Sequence, residues 1–160
     1  MGLDMYLYLK RYESVTPWEE GGMEKKKGFY PKELNGLGEG IFKRNFMSKE
    51  TSCQVGYWRK ANAIHKWFVD ECAKGVDDCR PVYVSEEKLR ELLGLVNETL
   101  ADPTKASALL PTQDGFFFGS TEYSEWYKQD LEYTRDLLKE VLAFLKDKDY
   151  HWSVIYKASW

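Results

Sequence analysis

The same two-residue period opens and closes this chain. Leu3, Met5, Leu7 and Leu9 alternate with Asp4, Tyr6, Tyr8 and Lys10, which in a strand sets apolar side chains on a core face and the others toward polar surroundings. Trp152, Val154, Tyr156, Ala158 and Trp160 alternate with His151, Ser153, Ile155, Lys157 and Ser159 in the same way. Both terminal strands are expected in one sheet. Between them the period changes to 3.6, so the order predicts an α+β fold: a small sheet including the N- and C-terminal strands, covered mainly on one face by three helices. With 160 residues, 43% of them hydrophobic, the expectation is a single domain over 1–160.

The first helix is expected over about Val55 to Lys74, where Tyr57, Ala61, Ile64, Phe68 and Cys72 share a face and Gly75 follows as a C-terminal cap. Val82 to Val84 reads as a short strand. Ser85 then caps a second helix with the stripe Leu89, Leu92, Leu93, Val96 and Leu100, ended by Asp102-Pro103. Phe116 to Phe118 reads as a β segment. Gly119-Ser120-Thr121 turns into a third helix reaching about Leu145, whose core face holds Tyr127, Leu131, Thr134, Leu138, Val141, Leu142 and Leu145. Trp126, Tyr133, Leu137 and Phe144 widen that arc, and Asp130 falls inside it. By contrast, the glycine-rich residues 11–56, with Pro17 and Pro31, interrupt every period and are expected to form an irregular excursion.

Six Trp, eleven Tyr and eight Phe are more rings than a core of this size normally holds, so some should line a surface or pocket. A net charge of −3 argues against a general nucleic-acid coat, which depends on Lys and Arg contacts to phosphate, while leaving room for a local basic patch. No apolar run reaches the length of a membrane crossing. Cys53, Cys72 and Cys79 lack disulfide or zinc spacing and are expected as free thiols. No cofactor and no metal are expected.

Two stretches carry the candidate chemistry. On the expected first helix Trp58, Asn62, His65 and Val69 form a stripe beside the core face, a ring, an amide and an imidazole suited to a planar polar ligand. Arg59 lies nearer the outer face. Each has a plainer role available: Trp58 covering the core, Asn62 solvated, His65 bonding a carbonyl. In Leu110 to Thr121, Thr112 and Gln113 offer hydrogen-bonding groups for a ligand edge, and Phe118, Ser120 and Thr121 frame a helix start suited to an anion. Turn and capping chemistry is the plainer account there.

The segments Gly2 to Leu7, Val55 to Phe68 (VGYWRKANAIHKWF) and Leu109 to Tyr123 (LLPTQDGFFFGSTEY) resemble a family of small uncharacterised proteins of phages, prophages and gut bacteria. The resemblance implies a viral or mobile-element context and action in the cytoplasm of an infected bacterium. It implies no activity. The leading expectation is a protein that binds a small molecule, nucleotide-like, through Trp58, Arg59, Asn62, His65, Thr112, Gln113, Phe118, Ser120 and Thr121, and in a phage setting sequesters a host immune messenger as an anti-defence device. Two alternatives stand beside it. One is a protein–protein module that inhibits or redirects a host enzyme. The other is a metal-independent hydrolase or transferase with His65 as general base and Arg59 or Lys60 stabilising an anion. A homodimer is expected if the C-terminal strand offers an open edge.

Overall fold

The structure is a computed structural model that describes residues 2–15, 47–146 and 152–160. The apolar pieces 28–30 and 41–46, and His151, lie outside the described residues. Asp4–Val15 forms β1 and Met47–Arg59 forms β2, followed by α1 (Asn62–Cys72), β3 (Val82–Val84) and α2 (Glu86–Ala101). A 3-10 turn at Pro103–Lys105 leads into the single-turn α3 (Ala106–Leu109), then α4 (Glu125–Lys146) and β4 (Ser153–Ser159). The strand order is β2-β1-β4-β3. β4 runs antiparallel to both neighbours, with Met5 opposite Ala158, Leu7 opposite Tyr156 and Val84 opposite Val154.

The fold is α+β, and the two terminal strands are paired in one sheet as their alternation requires. Leu3, Met5, Leu7 and Leu9 face the helices and are 5% exposed or less. They meet Ile64 and Phe68 of α1, Leu89, Leu92 and Val96 of α2, and Leu131, Leu138 and Val141 of α4 in one core. Each large apolar side chain so enclosed contributes about 1.5–3 kcal/mol. Ser85 caps α2 as expected, its Oγ accepting from the Lys88 amide at 3.2 Å. At the end of α1 the Gly75 amide donates to the Val69 carbonyl at 2.9 Å. Lys74 and Gly75 both have positive φ there.

Several boundaries differ from the sequence reading, each for a physical reason. Val55 to Arg59 is strand, not helix. These residues are rich in β-branched and aromatic side chains, and pairing beside β1 outweighs their accidental fit to the helical period. At Gly56 an added Cβ would stand 2.5 Å from Leu137 Cδ2 and 3.2 Å from Leu7 Cβ, so the helix layer lies directly on the backbone there. Lys60, at φ 62°, makes the corner into α1. Phe116 to Phe118 forms a turn closed by the Phe118 amide on the Gly115 carbonyl at 3.0 Å. Gly119 has φ 89° and Ser120 Oγ accepts from the Glu122 amide at 3.1 Å in a local turn that no helix follows directly. α4 starts instead at Glu125.

The chain divides into two units, Met1–Lys10 with Ser52–Trp160, and Arg11–Thr51. The expected excursion at 11–56 is strand at both of its described ends, within β1 and β2. β4 sits inside the sheet between β1 and β3, and β3 covers its second edge at Val154 to Tyr156. Everything that follows concerns the larger unit.

Candidate functional site

The two stretches singled out in the sequence do converge. Asn62, 4% exposed, stands in the first turn of α1 and donates through Nδ2 to the Phe118 carbonyl at 3.1 Å and the Ser120 carbonyl at 2.8 Å. Its Oδ1 accepts from the Gln113 amide at 3.2 Å. Thr112 Oγ1 donates to the Thr121 carbonyl at 2.9 Å, and the Phe118 ring lies edge-on to His65 with centroids 5.1 Å apart. Seven of the nine expected ligand residues, Asn62, His65, Thr112, Gln113, Phe118, Ser120 and Thr121, thus form one junction. Asn62 is a pin that holds the 112–121 loop against α1, with both Nδ2 protons engaged by loop carbonyls.

His65 is likewise enclosed, at 0% exposure. Its Nε2 lies 2.9 Å from Asp77 Oδ2 and its Nδ1 2.7 Å from the Tyr156 hydroxyl. A carboxylate only accepts, so Nε2 carries the proton and Nδ1 accepts from Tyr156. Asp77 Oδ1 in turn accepts from Trp160 Nε1 at 3.1 Å. Burial, followed by the nearby Asp77 charge, holds the Tyr156 phenol well above its ordinary range. This chain links α1, the 77–79 turn and β4. The cavity beside it holds about 10 Å³, no more than a water. As the residues stand, the imidazole joins an acid and a phenol in one buried chain that ties α1 to β4.

Trp58 and Arg59 part company because they are neighbours on a strand, not on a helix. Trp58 points inward, 2% exposed, and donates from Nε1 to Thr134 Oγ1 of α4 at 2.8 Å. It covers the core, the plainer of its two expected roles. Arg59 is exposed and follows Tyr57 at the two-residue spacing that shares a face.

That outer face holds the aromatic residues the core does not use. Tyr6 and Tyr57 stand with ring centroids 5.4 Å apart, and Tyr6 and Tyr8 are 6.1 Å apart in a stacked arrangement. Across the sheet Tyr6 is opposite Lys157, while Ile155 of β4 is opposite both Tyr8 and Tyr83. Tyr57 is 41% and Tyr83 64% exposed. The Tyr57 hydroxyl donates to Asp4 Oδ1 at 2.5 Å, and that bond to a carboxylate raises the phenol's pKa and keeps it protonated. Tyr133 of α4 accepts from the Tyr57 amide at 3.1 Å. Arg59 and Lys60, both exposed, flank Gly2. Neither they nor Lys157 make an ion pair among the described residues. Lys60 holds its place in a left-handed conformation with its stem against Gly119, whose added Cβ would lie 3.1 Å away. Such backbone strain persists only where the surroundings impose it.

Sequence reasoning missed Tyr6, Tyr8, Tyr57, Tyr83 and Lys157. The signal was present in the alternation of β1, which puts Tyr6, Tyr8 and Lys10 together, whereas Tyr57 was assigned to a helix.

Clefts occur elsewhere. One of about 520 Å³ lies between Leu9, Cys53 and Val55 on the sheet side and Leu137, Val141 and Phe144 on α4. A second of about 210 Å³ lies where Tyr123 and Tyr127 meet Leu100 and Pro103. A third, of about 160 Å³, separates Trp67 from Pro111. None of these three is lined by an expected ligand residue. All three cysteines are free thiols, and burial pushes Cys72 up to about 11, which suppresses its nucleophilic form. Among the described residues no group of three or more His, Cys, Asp or Glu is placed to hold a metal ion. No described helix is long and apolar enough to cross a membrane. No protein-family model, curated protein or solved structure matches the chain.

Proposed function

We propose that this protein binds a nucleotide-type ligand on the outer face of its sheet, with the base laid on Tyr6 and Tyr57 and the phosphate held by Arg59 and Lys60. The observation that carries the reading is the pairing of exposed Tyr57 with half-buried Tyr6 beside two cations that have no acidic partner among the described residues. Stacking on an aromatic ring is worth about 1–3 kcal/mol per base, and a guanidinium matches a phosphate through two parallel hydrogen bonds. Asp4 supports the site by holding the Tyr57 hydroxyl through Oδ1. Of the expected ligand residues, Arg59 alone remains in contact with the ligand. In the mobile-element setting that the sequence resemblance implies, such binding in the cytoplasm would withdraw a signalling nucleotide from the host.

Isothermal titration with nucleoside mono- and diphosphates and cyclic dinucleotides tests this. Binding is expected to weaken at least tenfold in Arg59→Ala and in Tyr57→Ala, with folding checked by circular dichroism. Absence of binding at millimolar ligand, or affinity indifferent to both substitutions, refutes the reading. A protein partner is the second reading, favoured by Phe116 at 96% and Trp126 at 76% exposure, rings that no fold requirement brings to the surface.

A further inference from the structure

We infer that the nucleotide taken by the outer sheet face is one unit of a single strand of nucleic acid, with the rings of β1, β2 and β3 serving successive bases. The inference rests on the reading above and concerns the class of ligand.

Shape is the first argument. A free mononucleotide is recognised in a concave site that buries most of its surface. Tyr6, Tyr8, Tyr57 and Tyr83 line none of the clefts described above. They lie instead on a sheet face whose opposite side is occupied by the core. An open platform contacts each base on one side only, so useful affinity requires several bases in a row.

Spacing is the second. Tyr57 and Tyr6, 5.4 Å apart, serve one base between them, and the next ring, Tyr8, lies 6.1 Å beyond Tyr6, more than the roughly 3.4 Å between bases stacked within one strand of a duplex. A second base placed beyond the first is therefore unstacked from it, the state in which single strands are bound. The row does not stop at Tyr8, because Ile155 stands between Tyr8 and Tyr83 in register. A path Tyr57, Tyr6, Tyr8, Ile155, Tyr83 crosses all four strands.

Charge is the third. The chain as a whole carries −3, yet Arg59, Lys60 and Lys157 border the rings against one acid among them, Asp4, which accepts the Tyr57 hydroxyl. The outer face is locally cationic on a weakly acidic molecule. That is the combination for a short backbone contact, as opposed to a general coat.

The test is fluorescence anisotropy on the full chain with labelled twelve-residue oligo(rU), oligo(rA) and oligo(dT), at 50 and 200 mM salt, beside titration of the matching mononucleotides. Oligomers are expected to bind at least a hundredfold more tightly than the mononucleotides. Lys157→Ala should reduce the salt slope by about one. Tyr8→Ala and Tyr83→Ala, surface substitutions that leave the core intact, should weaken the oligomer at least fivefold and more than they weaken the mononucleotide. Comparison of the ribo- and deoxy-oligomers reports whether the 2′-hydroxyl is read. Mononucleotide binding that depends on Arg59 with no gain for oligomers overturns this inference and leaves the earlier reading standing. Equal affinity for duplex and single strand also overturns it, and failure of both ligands removes both proposals.

Discussion

Asn62 shows how a single residue can serve the fold while resembling a ligand contact. Its amide satisfies two carbonyls and one backbone N–H across the α1–loop junction. Asn62→Asp keeps the shape but turns two donated bonds into carboxylate–carbonyl repulsion, so a loss of more than about 2 kcal/mol is expected. Thermal and urea unfolding measure it. Asp130 is the opposite kind of case. Burial raises its carboxyl to about 6 from 3.8, so the folded state resists ionising it, and stability declines as pH rises from about 4 to about 6 and is then level. Asp130→Asn is expected to abolish that decline and to stabilise the protein at pH 7.5 by on the order of 1 kcal/mol, allowing for solvent screening of a part-exposed group. At pH 4 the substitution should be nearly neutral. Urea unfolding at the two pH values gives both numbers.

Among the elements, the corner between β2 and α1 is the place where stability and the proposed binding oppose each other. Lys60 occupies a left-handed conformation that glycine adopts without a steric penalty. Lys60→Gly is therefore expected to raise stability by about 0.5–1 kcal/mol, while the lost cation lowers nucleotide affinity. A melting curve and a titration on the same sample separate the two effects. The same corner explains what the sequence concealed. Tyr57, Ala61, Ile64 and Phe68 satisfy a helical period although Tyr57 belongs to a strand, and no local pattern reports that a neighbouring strand has a vacant side. The true helix signals were sound wherever a cap marked the boundary, as at Ser85 and Asp102. At Gly119, where the start of α4 was misplaced, the backbone has positive φ and an added Cβ would meet Lys60, a neighbour 59 residues away in the chain that no local pattern reports.

At the level of the molecule, the alternation of β1 and β4 was enough to read the sheet, the buried face and the layer of helices. Which face carries the candidate site was not legible, because it depends on β2 joining β1 and on β4 carrying Lys157 to Tyr6. The seven residues that meet at the α1–loop junction were identified correctly as neighbours; their contacts with one another appear only when distances are known. The sheet order has a consequence for how the protein is made. β4 is hydrogen-bonded on both sides, to β1 from residues 4–10 and to β3 from residues 82–84. During synthesis β1 can pair with β2 and cover its apolar face with α1 once about half the chain is made, but its other edge, and β3, must wait for β4, more than 140 positions downstream of the β1 residues it meets. The middle of the sheet is therefore closed last, and the long-range pairing that closes it is the slow step of folding.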